Sequence, residues 1–380
     1  PEKRFRVGVT NGIYQLQAVD QQPVTAPGVA HRYSVDPVAG VLENGEADVL
    51  YLNDGQGRFR PVEWGSAFRT ETGDPAPPPY DWGLSALFHD LNHDGAPDLY
   101  VCNDFQSPDR LWINDGKGRF QAVARPAVRQ TSLFSMGVDV ADVDRDGGDD
   151  VFVVDMLSRE HARRQVQVME LAPVTASDPG AADRPQTSRN TLLRSRKDGT
   201  YAELAYLAGV EASEWSWCPV FLDVDLDGFE DVLITTGHER DAQNADVSAA
   251  LEEARRRQPM SFPDQLKMRS QFPRLDVPNV AFRNRGEFRF EDQSAAWGFD
   301  SRRISHGMAL ADLDGDGDLD VVVNCLNDGP LVYENIGTAP RVAIRLKGLS
   351  PNTRGIGARV CVTFPGLPVQ CQEMIAGGRY

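Results

Sequence analysis

Basic residues are scarce in this sequence relative to acidic ones. Its 39 Lys and Arg residues are outnumbered by 56 Asp and Glu residues, which gives a formal net charge of −17 for 380 residues. A nucleic-acid-binding protein must place Lys and Arg against phosphates. The charge balance therefore argues against a nucleic-acid partner and favours the binding of cations.

Long apolar runs and common catalytic motifs are also missing. No segment approaches the ~20 consecutive apolar residues that a membrane-spanning helix needs, so we expect no membrane span. The sequence has no Gly-x-Ser-x-Gly elbow, no His-Glu-x-x-His pair and no glycine-rich phosphate loop. Its six histidines share no spacing that would pair an acid with a base. We therefore predict that the chain is not an enzyme.

The five cysteines form no Cys-x-x-Cys pair, which argues against structural zinc and a thioredoxin-like redox site. One pair could form a disulfide. In "RVCVTFPGLPVQC" a Pro-Gly turn could fold two strands together and place Cys361 opposite Cys371. Two buried free thiols are the alternative.

Four acidic segments follow one plan, "HDLNHDGAPDLYV", "ADVDRDGGDDVFV", "LDVDLDGFEDVLI" and "ADLDGDGDLDVVV". We name the nine-residue loops inside them loop 1 (90–98), loop 2 (142–150), loop 3 (223–231) and loop 4 (312–320). Each has oxygen-bearing side chains at positions one, three, five and nine, and Gly at position six, where the chain must turn. Ca²⁺ takes about six to eight oxygen ligands, so a backbone carbonyl at position seven and water would complete each site. The predicted ligands are Asp90, Asn92, Asp94, Ala96 and Asp98 in loop 1; Asp142, Asp144, Asp146, Gly148 and Asp150 in loop 2; Asp223, Asp225, Asp227, Phe229 and Asp231 in loop 3; and Asp312, Asp314, Asp316, Asp318 and Asp320 in loop 4.

These loops are not EF-hands. An EF-hand requires a bidentate Glu at position twelve, on a helix that follows the loop. Position twelve is held here by Val101, Val153, Ile234 and Val323. The β-branched runs around it predict buried strands.

A second motif recurs as a hairpin with an Asn, Asp or Gly turn: "LYLNDGQGRF", "LWINDGKGRF", "LLRSRKDGTY" and "AFRNRGEFRF". From the last residue of the second, third and fourth hairpins to the next loop the separation is always 22 residues (142 − 120, 223 − 201, 312 − 290). The repeat unit is therefore strand A, acidic loop, strand B, strand C, tight turn and strand D. Such units predict an all-β fold, a β-propeller of four-stranded blades. About five blades are recognisable, the first of them partial, with its strand B expected in "RFRVGVTNG".

The repeats resemble the integrin-type FG-GAP or VCBS repeats that carry a D-x-[DN]-x-D-G-x-x-D loop. The pieces "NTRGIGARV" and "GGRY" are similar to the start of the ASPIC/UnbV domain of bacterial proteins related to cartilage acidic protein. The resemblance implies a propeller over residues 1–340, followed by the truncated N-terminal part of an ASPIC/UnbV domain over 341–380. It also implies a secreted or surface module that binds an extracellular protein or a glycan.

Two insertions, about 157–188 and 238–278, fall between strands B and C and should project from the face opposite the acidic loops. Connecting loops on a rigid scaffold often carry recognition, so this face is the predicted binding surface. Its candidate ligand-binding residues are Trp217, His238, Arg303 and His306. A second set of aromatic residues lies eight positions before the first ligand of a loop and is predicted to fill packing slots between blades: Trp82, Phe134 and Trp215.

The expected cofactor is Ca²⁺, about four ions with a structural role. At positions one, three, five and nine the loops have 15 Asp and one Asn side chain, so four ions would change the charge of these ligands from −15 to −7. Extracellular modules bind calcium at roughly 10⁻⁴ to 10⁻³ M, which favours an extracellular, cell-surface or periplasmic location. A calcium-dependent, lyase-like enzyme acting on polysaccharides from the opposite face is the alternative.

Overall fold

The computed structural model describes residues 3–10, 13–26, 29, 31–36, 40–105, 107–167, 184–257 and 262–375. The fold is mostly β, with helices confined to the connections. Residues 168–183 of the first insertion and the tail piece at 377–380 lie outside the described residues. Within the described ranges, no helix has both the length and the apolar character needed to cross a membrane.

The first 61 residues form three small antiparallel sheets. Their strands are β1 (Phe5–Thr10), β2 (Ile13–Val19) and β3 (Gln22–Pro23), then β4 (Tyr33–Asp36) with β5 (Gly40–Glu43), then β6 (Tyr51–Asn53) with β7 (Phe59–Pro61). The prediction that "RFRVGVTNG" pairs as strand B of the first repeat is wrong, because β1 pairs with β2 rather than with β6. Closing the short loop to β2 costs less entropy than closing a loop of some forty residues to β6.

Four further sheets follow, and each contains an antiparallel pair of strands joined by an acidic loop. The first contains β8 (Phe68–Arg69), β9 (Gly83–His89), β10 (Asp98–Asn103), β11 (Arg110–Asn114) and β12 (Phe120–Ala122), with β8 parallel to β12. Next come the parallel pair β13 (Thr131–Ser132) and β16 (Gln186–Thr187), and the sheet of β14 (Gly137–Ala141), β15 (Asp150–Val154), β17 (Thr191–Ser195) and β18 (Tyr201–Glu203). The third sheet contains β19 (Ser216–Leu222), β20 (Asp231–Thr236), β21 (Val280–Asn284) and β22 (Phe290–Asp292). The fourth contains β23 (Ser305–Ala311), β24 (Asp320–Cys325) and β25 (Leu331–Tyr333), and a separate hairpin of β26 (Arg359–Val362) and β27 (Gln370–Glu373) follows.

The helices are short and lie between strands. They are α1 (Trp64–Ala67), α2 (His161–Val166), α3 (Ala205–Ala208), α4 (Ala245–Arg257) and α5 (Phe262–Met268), with a 3-10 turn at Arg269–Gln271. The first insertion contributes α2, and the second contributes α4 and α5. Both insertions leave and re-enter the sheets between the second and third strands of a repeat, as predicted.

The core lies between successive sheets. After Asp150, strand β15 is a run of four apolar residues, Val151 to Val154, and every residue of the strand is buried. Val151 and Val153 pack in a cluster with side chains of the sheet β8–β12, whereas Phe152 and Val154 pack in a cluster with side chains of the sheet β19–β22. A third cluster joins the sheet β19–β22 to the sheet β23–β25. The sheets therefore stack in chain order, and their acidic loops emerge at the same end.

Candidate metal loops and the opposite face

All four acidic loops make the same backbone turn between adjacent antiparallel strands. Position four has a positive φ in every loop, at His93, Arg145, Leu226 and Gly315, and so does the glycine at position six. The position-six φ angles lie between 87° and 98°, a region that a side chain with a Cβ rarely adopts. This turn brings the side chains of positions one, three and five together. Each loop is followed directly by a strand, as predicted, and not by the helix of an EF-hand.

Three loops each bring three carboxylates to one point. Their oxygen atoms lie within 4.8 Å of one another in the triads Asp142, Asp144 and Asp146; Asp223, Asp225 and Asp227; and Asp312, Asp314 and Asp316. Loop 1 has an amide at position three, where Asn92 donates from Nδ2 to Asp94 Oδ2 at 3.0 Å. The predicted side chains at positions one, three and five are thus neighbours in every loop.

Two of these oxygen atoms fit a cation for a further reason. Asp142 Oδ1 and Asp225 Oδ1 are buried and have no hydrogen-bond partner in the described part of the chain. A buried carboxylate oxygen without a partner is costly, and a hard cation would satisfy it. Burial and the nearby acidic side chains also raise the pKa of Asp223 to about 6. A bound cation would favour the charged form of such a group.

The aspartate at position nine has a second task, which the sequence pattern does not indicate. In loop 2, Asp150 accepts from the backbone N–H of Val143 at 3.2 Å and of Ser195 at 2.8 Å. The same pair of bonds from backbone N–H groups recurs in the other loops: Asp98 accepts from Leu91 and Asn114, Asp231 from Val224 and Asn284, and Asp320 from Leu313 and Asn335. Each carboxylate therefore ties its own loop to the end of the third strand of its sheet.

In loops 1, 2 and 3 the position-nine carboxylate has the largest pKa shift of the loop. Burial raises the pKa of Asp98 to about 7 and that of Asp150 and Asp231 to about 8, although the backbone N–H groups act in the opposite direction.

Position seven is occupied by Ala96, Gly148, Phe229 and Asp318, and the N–H of each donates to the position-five carboxylate at 2.9–3.1 Å. Metal binding through their carbonyl groups stays a prediction.

Arginine side chains that the sequence reasoning missed contact three of the loops. Arg194 lies 3.1 Å from Asp144 and 3.0 Å from Asp146 in loop 2. Arg283 makes the equivalent contacts in loop 3, and Arg341 contacts Asp316 and Asp318 in loop 4. Arg194 and Arg283 each hold the fourth position of the third strand, in "TLLRS" and "VAFRN". That shared position is the signal from which the contacts could have been found.

Neighbouring loops also contact each other through positions four and eight. His93 of loop 1 lies 2.9 Å from Asp149 of loop 2. Arg145 of loop 2 lies 2.7 Å from Glu230 of loop 3, and both side chains are buried. The carboxylates at position eight were not predicted to have a role because they do not belong to the ligand pattern.

The hairpin β26–β27 lies against the loop end of the sheets. Its Glu373 accepts from the backbone N–H of Asp90 at 2.8 Å and lies 3.5 Å from His89. Burial disfavours a charged His89, but Asp149 and Glu373 outweigh burial and raise its pKa. A disulfide between Cys361 and Cys371 joins the two strands of this hairpin, while Cys102, Cys218 and Cys325 are buried and are not in a disulfide.

The end of the sheets opposite the loops gathers four aromatic side chains. Trp215 stacks on His238 with ring centroids 4.2 Å apart, and Trp217 lies 4.7 Å from His306 in a tilted arrangement. Trp217 donates from Nε1 to the carbonyl oxygen of Gly237 at 2.7 Å. Burial, together with the nearby His238, lowers the pKa of His306. The structure thus brings three of the four predicted ligand-binding residues into one cluster.

The fourth predicted residue, Arg303, turns away from these rings. It pairs with Asp328 at 3.3 Å and donates to the carbonyl oxygen of Gly329 at 3.0 Å.

The three aromatic residues that were predicted to pack between blades differ in burial. Phe134 is buried as predicted, whereas Trp82 is 37% exposed and Trp215 is half-buried against His238.

The two insertions meet on this same face. Gln167, just after α2, donates to Gln243 in the second insertion at 2.9 Å. Arg163 and Arg164 of α2 pair with Glu214 and Glu211, which precede β19. These contacts hold the first insertion beside the aromatic cluster.

Comparison with known proteins bears on the loops. The family model described as an FG-GAP-like repeat matches residues 90–153, which include loops 1 and 2, and residues 274–323, which include loop 4. The chain contains FG-GAP-like repeats. Similarity of residues 341–380 to an ASPIC/UnbV domain stays a prediction.

No curated protein sequence matches the chain. A solved structure with some similarity is that of an Agrocybe aegerita lectin, whose title describes recognition of non-reducing terminal N-acetylglucosamine. It shares 16% identity with a TM-score of 0.37, over 86% of this chain and 68% of that one. At this identity and TM-score, we infer neither the fold nor the ligand of this chain from the similarity.

Proposed function

We propose that the chain is a calcium-binding β-propeller that acts as a protein- or glycan-binding module, secreted or at the cell surface, in which calcium is structural. The observation that carries the proposal is the fourfold acidic loop, with three carboxylate triads, two of which include a buried oxygen atom that has no hydrogen-bond partner among the described residues. Side chains at positions one, three and five, joined by position nine, would hold the ion. Calcium would supply the positive charge that offsets their mutual repulsion.

The propeller arrangement is supported by the order of the sheets. The first strands of successive sheets are neighbours, with β14 beside β9 and β19, and β19 beside β23. Acidic loops and third-to-fourth-strand turns lie at one end, tied by position nine. A rigid scaffold of this kind leaves the opposite end, with Trp217, His238 and His306, available for a ligand.

The arginines near the loops lead to a prediction about calcium affinity. Arg194→Gln removes a cation that contacts Asp144 and Asp146 and competes with calcium for loop 2. We expect tighter calcium binding at that loop by roughly threefold to tenfold, or about 0.7–1.4 kcal/mol. Isothermal calorimetry with CaCl₂ measures it.

Arg196→Gln is the matched control, because it removes the same charge from the same hairpin, and within the described residues the exposed Arg196 forms no ion pair with a loop carboxylate. Equal affinities for the two variants would refute competition by Arg194.

Binding and catalysis predict different results with polysaccharides. We expect calcium-loaded protein to retain a polysaccharide, or an extracellular protein, without changing it, since the sequence holds no recognisable catalytic set. Retention on immobilised polysaccharides and chromatography of the soluble fraction measure both outcomes. Calcium-dependent release of unsaturated oligosaccharides would contradict the binding proposal and support the lyase-like alternative.

A further inference from the structure

A large cleft lies between the N-terminal strands and the sheet β8–β12, away from the acidic loops and from the Trp217 cluster. Its volume is about 1080 Å³. Tyr14 and Tyr33 line it from the N-terminal side, Trp64 and Trp112 line it from the sheet side, and Tyr80 lies between them. Small-molecule sites commonly measure ~300–1,000 Å³, so this cleft has room for an elongated ligand.

The charged groups that line the cleft balance one another. Arg110 forms a two-pronged ion pair with Asp81. Arg184 donates to the carbonyl oxygen of Asp109 at 3.3 Å and lies 3.9 Å from Glu71. Arg69 is the third cation, and it donates to backbone carbonyl groups. Three arginines thus line the cleft together with the three carboxylates of Glu71, Asp81 and Asp109, although the protein as a whole has a net charge of −17. This local balance of charge favours a neutral ligand over an anion or a cation.

Two hydrogen-bond donors at the cleft lack an acceptor. Trp64 Nε1 and Arg184 Nε are buried and have no hydrogen-bond partner within the residues that the structure describes. Trp64 is only 8% exposed, and its ring is held by stacking on Phe68 at 3.8 Å. A buried donor without an acceptor is destabilising by about 1–3 kcal/mol, so a ligand oxygen that reached these groups would be favoured.

Sugars combine the properties that this cleft requires. A pyranose ring has an apolar C–H face, which packs on aromatic rings, and hydroxyl groups at its edge that both donate and accept. Fixed Arg–carboxylate pairs offer donors and acceptors side by side to such hydroxyls. We propose that this cleft binds a neutral oligosaccharide, with Tyr14 and Tyr80 as stacking platforms and Trp64 Nε1 as a donor. The inference rests on the proposed binding function, but it places a neutral glycan in this cleft and not at the Trp217 cluster.

Binding of the full calcium-loaded chain to a printed array of defined neutral oligosaccharides, with hits confirmed by calorimetry, tests the inference. We expect Tyr14→Ala and Tyr80→Ala each to weaken binding roughly tenfold. Trp64→Phe keeps an aromatic ring beside Phe68 but removes the five-membered ring with its N–H, so it should weaken binding and also lower the thermal midpoint through lost packing. Its binding is therefore measured at a temperature well below the midpoint of the variant, where the protein is folded. Tyr51→Ala is the matched control: Tyr51 is 55% exposed, close to the 51% of Tyr14, but lies outside the cleft.

The outcomes separate this inference from the broader proposal. Oligosaccharide binding that survives all three cleft variants but is lost in Trp217→Ala would overturn the cleft site and leave the binding-module proposal intact. An array with no neutral hit, or binding of a peptide that the cleft variants abolish, would overturn the saccharide assignment. Loss of binding in Tyr51→Ala equal to that in Tyr14→Ala would also overturn it.

Discussion

Removal of calcium with EGTA should lower the thermal unfolding midpoint of this chain by a large margin. For sites with dissociation constants of roughly 10⁻⁴ to 10⁻³ M, about 2 mM calcium stabilises the folded state by roughly 0.6–1.8 kcal/mol per site. Four independent sites would together contribute about 3–7 kcal/mol. The effect on a protein of ordinary stability, about 5–15 kcal/mol, is therefore large.

The structural reason is the charge that the loops concentrate. The three carboxylate triads keep their oxygen atoms within 4.8 Å, and the position-nine carboxylates are buried beside them. Without calcium, the cations that pair with triad carboxylates in the described part of the chain are Arg194 and Lys197 at loop 2, Arg283 at loop 3 and Arg341 at loop 4. Loop 1 has the fewest carboxylates because Asn92 replaces one of them.

Differential scanning fluorimetry in calcium, in EGTA and in magnesium at the same concentration tests this expectation. Magnesium is the control, because it is smaller, prefers octahedral geometry and keeps several of its waters. Calcium should raise the midpoint and magnesium should not reproduce the full rise. A midpoint that is the same in calcium and in EGTA would refute a structural role for calcium.

Much of the repeat could be predicted from the sequence because its signals are local. Loop residues such as Asp142, Asp144 and Asp146 are identified by a nine-residue pattern, and the apolar run from Val151 to Val154 predicts a strand buried on both faces. The hairpin turns follow from Asn, Asp and Gly at fixed offsets. These features depend on neighbours in the chain, so the strands that follow each loop could be placed without a structure.

The missed features depend on residues that are distant in sequence. Arg145 and Glu230 belong to different repeats and meet only when neighbouring loops pack together. The cleft that Tyr14 lines together with the Arg110–Asp81 pair exists only because the N-terminal strands lie against the sheet β8–β12. The pairing of β1 with β2 also could not be predicted from the repeat, because the constant 22-residue separation applies only to segments that precede an acidic loop. Single-sequence patterns carry no information on such contacts.

The double hydrogen bond at position nine shows how a residue predicted as a metal ligand can also be a structural tie. Asp150 is 1% exposed and holds the N–H groups of Val143 and Ser195. Asp314 in loop 4 is exposed and accepts one N–H, from Asp316 at 3.1 Å. If both side chains also bind calcium, their replacement should differ in how far the loss of stability depends on calcium.

We expect Asp150→Ala to destabilise the chain by about 3 kcal/mol or more even in EGTA, because two buried N–H groups lose their acceptor. Asp314→Ala should change stability in EGTA by less than about 0.5 kcal/mol, since its side chain is exposed. In calcium, however, Asp314→Ala should lose the roughly 0.6–1.8 kcal/mol that its site contributes. Urea unfolding of both variants and the wild type, in calcium and in EGTA, measures the four differences.

The stability lost by each variant in calcium and in EGTA shows whether its carboxylate acts as a structural hydrogen-bond acceptor or as a calcium ligand. A loss in Asp150→Ala that appears only in calcium would mean that its hydrogen bonds contribute little and that the position is mainly a ligand. A loss in Asp314→Ala of the same size in calcium and in EGTA would remove loop 4 from the set of calcium sites. Because Asp150 joins a loop to the third strand of its sheet, we expect its replacement to loosen the scaffold itself, whereas replacement of Asp314 affects one ion.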